Sequence, residues 1–165
     1  FTGAAVGMGI TWEVVLAGKK RGVVCEIKAA GQAIRVIGTH LSHRQELLRV
    51  NSANVLVDLA SHGKLPTIIA GDLNSTPPTF PKSFSDPNNN NAIDTLDRSR
   101  LFKRLPHDRQ PTEQDLTFHS RQPHCVIDWV MIPEDWYFWK YRVVLSELSD
   151  HRPVYTEIAP TVPDR

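Results

Sequence analysis

A chain of 165 residues is long enough for one domain with a real core and hardly for two. Hydrophobic residues at 41% and charged residues at 22% describe an ordinary globular protein, and no run approaches the length of a membrane span. A net charge of +1 gives no nucleic-acid footprint, yet excludes no local basic groove, and two cysteines make neither a disulfide framework nor a zinc motif.

Residues 1–10 carry no initiator Met and no signal-peptide pattern, and they read as the middle of something longer. Residues 12–16 and 21–28 are strand candidates around the turn Gly18-Lys19-Lys20. Gly31-Gln32 turns the second into a third, residues 33–38, so these two form a β-hairpin. Thr39-His40-Leu41-Ser42-His43 follows. From Arg44 to Ser61 the period becomes helical, with Leu48, Val55, Leu56 and Leu59 on the apolar face and Gln45, Glu46, Arg49 and Asp58 away from it. Ser42 is the expected N-cap, with Gln45 three residues on, and Gly63 the expected stop.

Thr67 to Ala70 is a short, β-branched, apolar run of the kind that makes a buried strand. Strand, helix, strand is a crossover unit and points to layered α/β architecture. The loop expected over residues 75–91 holds four prolines and an Asn tetrad, and it should border whatever site Asn74 belongs to and be among the more mobile segments. Residues 92–105 are a further helix candidate, and residues 116–118, 125–132, 142–145 and 154–158 are short strand candidates. Cys25 and Cys125 lie in apolar runs and read as buried thiols. One α/β domain spanning residues 1–165 is the expectation.

Polar residues at strand ends carry the chemistry. Gly71 lets the backbone leave the strand, and Asp72 and Asn74, two apart in extended chain, project to one face. A carboxylate there can take a proton from water or bind a hard cation, and the amide can orient a phosphate oxygen; the same residues also suit a plain Asx turn. His40 ends a strand as Asp72 does. Asp128 interrupts an apolar run and needs a partner. Asp150 and His151 are adjacent and point to opposite faces in extended chain, so His151 can meet Asp128 while Asp150 is left for a metal ion. The spacing of His107, His119, His124 and Cys125 matches no zinc pattern. The run Trp136-Tyr137-Phe138-Trp139 suits base stacking or core packing.

Thr39-His40-Leu41, Gly71-Asp72-Leu73-Asn74, Ile127-Asp128-Trp129-Val130 and Ser149-Asp150-His151, in that order, resemble the endonuclease/exonuclease/phosphatase superfamily, the deoxyribonuclease I-like fold. The resemblance implies a four-layer α/β sandwich, with two mixed β-sheets packed face to face and helices outside. It implies metal-dependent hydrolysis of a phosphoester, a phosphodiester before a monoester, with Mg²⁺ or Mn²⁺ as cofactor. The substrate would be a nucleic acid, a phospholipid head group or an inositol phosphate. Asp72 would orient and deprotonate the attacking water and share the metal site with Asp150. Asn74 would hold the scissile phosphate, His151 supported by Asp128 would stabilise the pentacovalent phosphorus, and His40 would stabilise the transferring or leaving group. The family's opening strand with its Asn, and the metal-ligand Glu after it, have no match here; Glu13 and Glu26 are poor substitutes. A separate N-terminal segment completing the domain is therefore expected. The rival reading is a non-catalytic binding or scaffold module on the same fold.

Overall fold

The computed structural model describes residues 10–29 and 31–160, so the reading of residues 1–9 lies outside the described residues. Strands β1 (Ile10–Leu16), β2 (Lys20–Ala29) and β3 (Gln32–His40) form an antiparallel meander. Helix α1 (Glu46–Ser61) carries the chain over to β4 (Thr67–Asp72), which pairs parallel with β3 as a crossover connection requires. After α2 (Ala92–Arg98) come β5 (Phe102–Lys103) and β6 (Asp128–Pro133), which complete a six-stranded mixed sheet in the order β1-β2-β3-β4-β6-β5. Strands β7 (Tyr137–Val143) and β8 (Val154–Ala159) form a separate antiparallel pair.

Alternation along the strands divides the core in two. Val24, Ile37, Ile69 and Met131 face α1 and α2, where they meet Ala53, Leu56, Ile93 and Leu96. Ile34, Ile68 and Ile132 face the other way and pack with Trp136, Phe138 and Ile158 of the β7–β8 side. The described residues thus build three layers: helices, a six-stranded sheet and a two-stranded sheet. The expected four-layer sandwich of two mixed sheets is not what they form, because only residues 137–159 contribute strands to the second sheet and those are antiparallel.

Helix α1 departs from its periodic reading. Gln45, not Ser42, occupies the N-cap, and the Ser42 hydroxyl instead accepts the Arg44 N–H. Glu46 and Arg49, expected in solvent, are both 5% exposed, while Val55 is 37% exposed. The cause is tertiary: the first turn of α1 is covered by the loop after β4 and by α2. The Glu46 carboxylate accepts from the Ser75 hydroxyl and the Ala92 N–H at 2.7 Å each, and from the Arg49 guanidinium; Arg49 also donates to the Ser42 carbonyl at 2.8 Å. Buried charges persist only with partners of this kind.

The second helix is shorter than its pattern, since Arg100 at φ 56° ends it and the chain turns into β5. Asn91 caps α2 by accepting from Ile93 and Asp94 N–H, and its amide donates to the Thr76 and Phe84 carbonyls. The 75–91 loop is therefore pinned, with Ser75, Thr76, Phe80 and Asp86 buried. Of the aromatic run, Trp136 joins the core and Tyr137 and Trp139 lie exposed on β7. Among the described residues, no helix is long and apolar enough to cross a membrane.

Candidate active site

Sheet register puts three of the expected residues in one row. His40 stands opposite Asp72 across the parallel β3–β4 pair, and Asp72 stands opposite Asp128 across the antiparallel β4–β6 pair. All three lie on the sheet face turned toward β7–β8, by the same alternation that places Ile68 and Ile132 there. His151, just ahead of β8 and bridged to Phe118, closes on the row from the side of the second sheet. Its Nδ1 lies 2.8 Å from Asp128 Oδ2, so Nδ1–H donates to the carboxylate and Nε2 turns to Asp72 Oδ2, 4.0 Å away. His40 Nε2 approaches the same oxygen at 3.4 Å. The expected carboxylate–imidazole contact is present. Asp128 is half-buried at the start of β6, where the sequence had placed it mid-strand.

Two backbone features hold Asp72 in place. Gly71 has φ +143°, and a Cβ on it would sit 1.9 Å from the Thr39 carbonyl oxygen, so only glycine permits this approach of β4 to β3. Asn74 takes φ 50°, a left-handed conformation that Asn tolerates. Its backbone N–H donates to Asp72 Oδ1 at 2.8 Å, and its amide donates to Asp72 Oδ2 at 2.9 Å and to the Leu41 carbonyl at 3.2 Å. Both amide hydrogens are thus spent on orienting Asp72 and tying it to the loop after His40.

Burial raises the Asp72 pKa above the ordinary carboxylate value; the Asn74 N–H works against this, the Asp128 charge adds to it, and His40 and His151 oppose it. For His151, burial alone would lower the pKa, but the hydrogen bond and charge of Asp128, with Asp72 and Asp150, outweigh it and raise the value. The pair therefore holds a base that is stronger than usual beside an imidazole that keeps its proton longer than usual.

Asp150 stands apart. Its carboxylate is exposed, accepts from the Ser149 hydroxyl at 3.1 Å, and has its pKa lowered by that bond first, with smaller help from His151 and His119. Glu13 pairs with Arg21 and Glu26 with Arg35, away from the row. As for a metal ion, hard carboxylate oxygens are the right kind of donor. Their number falls short: among the described residues, no three or more His, Cys, Asp or Glu side chains gather closely enough to hold one. A hollow of about 310 Å³ opens beside Asp128 and His151, walled by Ala70, Gly71, Val130 and Val154. The small residues Ala70 and Gly71 at the end of β4 leave that room. Thr117, whose hydroxyl accepts the Asp128 N–H, was legible in the sequence only as one residue of a short apolar run.

A mixed sheet with one α/β crossover, bearing a His–Asp–Asp row at its strand ends and a further imidazole above it from just ahead of β8, defines a layered α/β protein with carboxylates and imidazoles gathered between its sheets. The Endonuclease/Exonuclease/phosphatase family model matches residues 10–151, and the chain belongs to that family. Its fold is similar to that of a mannosyl-6-phosphatase from Bacteroides thetaiotaomicron VPI-5482, with TM-score 0.69 and 16% identity over 94% of this chain and 66% of the other. An endonuclease/exonuclease/phosphatase from Bacteroides vulgatus gives TM-score 0.67 and 19% identity over 94% and 65%. D. rerio TDP2 complexed with a single-strand DNA product gives TM-score 0.62 and 11% identity over 92% and 68%. The chain spans about two-thirds of the length of these structures. No curated protein matches it in sequence.

Proposed function

We propose that this site hydrolyses phosphoesters, phosphodiesters in particular, by attack of water on phosphorus. The observation that carries the reading is the in-register row His40–Asp72–Asp128 with His151 held over it by Asp128. Asp72, with its raised pKa, takes a proton from the water as the water oxygen bonds to phosphorus. Protonated His151 faces the negative charge that gathers on the non-bridging oxygens of the pentacovalent phosphorus, while Asp128 fixes its ring. His40 serves the leaving oxygen, which departs with the electron pair of the broken P–O bond and takes up a proton. Asn74 holds Asp72; letting go of the Leu41 carbonyl would free one amide N–H for the phosphate.

A divalent cation, Mg²⁺ or Mn²⁺, would offset phosphate charge if bound. Asp72 and Asp150 are the carboxylates this chain would offer it, with further oxygen ligands drawn from the substrate or a completing segment. A separate N-terminal segment seated along β8 beside the hollow would complete both sheet and ligand set. The open edge of β8 and the length of the similar structures support that arrangement. Both a phosphatase and a complex with a DNA product share the fold, so the substrate panel spans nucleic acid, phospholipid head groups and inositol phosphates.

The test is hydrolysis of a chromogenic phosphodiester and of that panel, with Mg²⁺ or Mn²⁺ and with a chelator. It is run on the chain and on the chain joined to the opening segment of a family member. Asp72→Asn is expected to lower the rate about 100-fold or more, and the chelator to abolish it. Undiminished activity of Asp72→Asn would overturn the assignment. No hydrolysis of any substrate by either protein would favour the binding or scaffold module.

A further inference from the structure

Thr117 lies between the two backbone segments that present Asp128 and His151. It is fully buried, and its polar atoms all bond to those segments. Its N–H donates to the Cys125 carbonyl at 3.0 Å. Its hydroxyl oxygen accepts the N–H groups of Ile127 and Asp128 at 3.1 and 3.2 Å. Its carbonyl accepts the Arg152 N–H at 2.7 Å. The next residue continues the stitching: Phe118 bridges both Cys125 and His151, and its ring centre stands 4.8 Å from that of His151. Ser120 N–H donates to the Asp150 carbonyl at 2.7 Å.

We infer that Thr117 is a positioning residue which sets the distance between the Asp128 carboxylate and the His151 ring by hydrogen-bonding the backbone of both segments. The inference rests on the reading of that pair as working groups. Asp128 opens β6, His151 lies just ahead of β8, and the two are 23 residues apart, so nothing local in the chain fixes their separation. Thr117 supplies a shared anchor: its hydroxyl holds the Asp128 backbone and its carbonyl holds Arg152, the neighbour of His151. Valine has nearly the shape of threonine but no acceptor. With valine at this position two part-buried N–H groups lose their partner, and the β6 end must move or admit water to satisfy them. The Arg152 anchor survives, because it uses the carbonyl. The 2.8 Å carboxylate–imidazole contact is then expected to open from the Asp128 side.

The reporter is the His151 Nδ1 proton, a low-field imidazole N–H resonance in proton NMR of the resting protein, assigned by its loss in Asp128→Asn. Thr117→Val is expected to lose this resonance by exchange with water while the methyl region stays that of a folded chain, and Thr117→Ser to keep it. Where hydrolysis is measurable, Thr117→Val should lower kcat about tenfold at unchanged KM, with Thr117→Ser restoring it. Retention of the resonance in Thr117→Val, its loss in Thr117→Ser, or its absence from the parent protein would each overturn the inference. Should valine unfold the chain, Thr117→Ala takes its place; if both unfold it, Thr117 serves the fold alone and the inference fails. The resonance is read without substrate, so a chain that hydrolyses nothing sinks the proposed activity and leaves this result to stand on its own.

Discussion

Asp72 and His151 show how one small region meets opposite demands at the residue scale. The two groups are displaced in the direction that keeps a proton, Asp72 because burial and Asp128 oppose its charge, His151 because three carboxylates overcome its burial. The linkage has a definite sign. A group whose folded pKa lies above its unfolded value stabilises the fold fully below the unfolded value and loses that contribution as pH rises through the folded one. For His151 the window begins at about 6.5 and extends upward. The melting temperature of the parent, measured against His151→Asn, should therefore be highest relative to the variant near pH 6 (roughly the lower edge of that window), and its advantage should shrink as pH rises. A difference that grows with pH would mean that Asp128 does not favour the protonated ring. His151 and Asp128 were legible in the sequence because a carboxylate in an apolar run demands a partner. Glu46 and Arg49 were not. Helical periodicity assigns charges to solvent, and only the loop and helix that cover the first turn of α1, 29 and 46 residues away in sequence at Ser75 and Ala92, make burial possible.

At the scale of elements, the end of β4 is where sequence and fold agree most closely. A β-branched run, a glycine and then Asp and Asn predict a strand that stops where polar side chains begin, and β4 ends at Asp72. What the sequence does not carry is register, because pairing partners are distant and a one-residue slip would turn His40 and Asp128 to the other face. Gly71 pins that register: its contact with the Thr39 carbonyl is possible only without a side chain. Gly38, two residues before His40 and paired with Ala70, has open space where a Cβ would point. Gly71→Ala is expected to cost about 3 kcal/mol, since a backbone oxygen at 1.9 Å cannot yield as a side chain would and the left-hand φ adds strain. Gly38→Ala should stay within about 0.5 kcal/mol of the parent. Chemical denaturation of the two variants reads both, and equal losses would show that Gly71 is not held against β3. Helix α2 was the least legible element. The apolar residues after Arg98 continue a helical pattern, but Arg100 leaves the right-handed region and Phe102 is captured by β6.

The whole molecule is uneven in its stability. The six-stranded sheet is packed against both helices, with Val24, Ile37, Ile69 and Met131 each almost fully buried. The two-stranded sheet rests on a smaller cluster in which Val36, Val130, Phe138 and Ile158 are only partly buried. A two-stranded ribbon is marginal without packing, and the edge of β8 away from β7 has no strand beside it among the described residues. An open edge with half-buried apolar residues is a template for another strand. Which strand edge stays open was not legible in the sequence, because it depends on pairing between residues far apart in the chain. Hydrogen exchange of the chain should show the uneven stability directly. Amides of β3 and β4 are expected to exchange only by global unfolding, and those of β7 and β8 by local opening at far lower cost. If a second copy adds to the edge, protection in β8 should rise with protein concentration while that in β4 stays constant. Joining the chain to a segment that seats on β8 should bring β7 and β8 level with β4 and remove the concentration dependence. Amides of β8 as protected as those of β4 in the dilute chain alone would mean that the second sheet needs no further strand, and the proposed completing segment would lose its structural support.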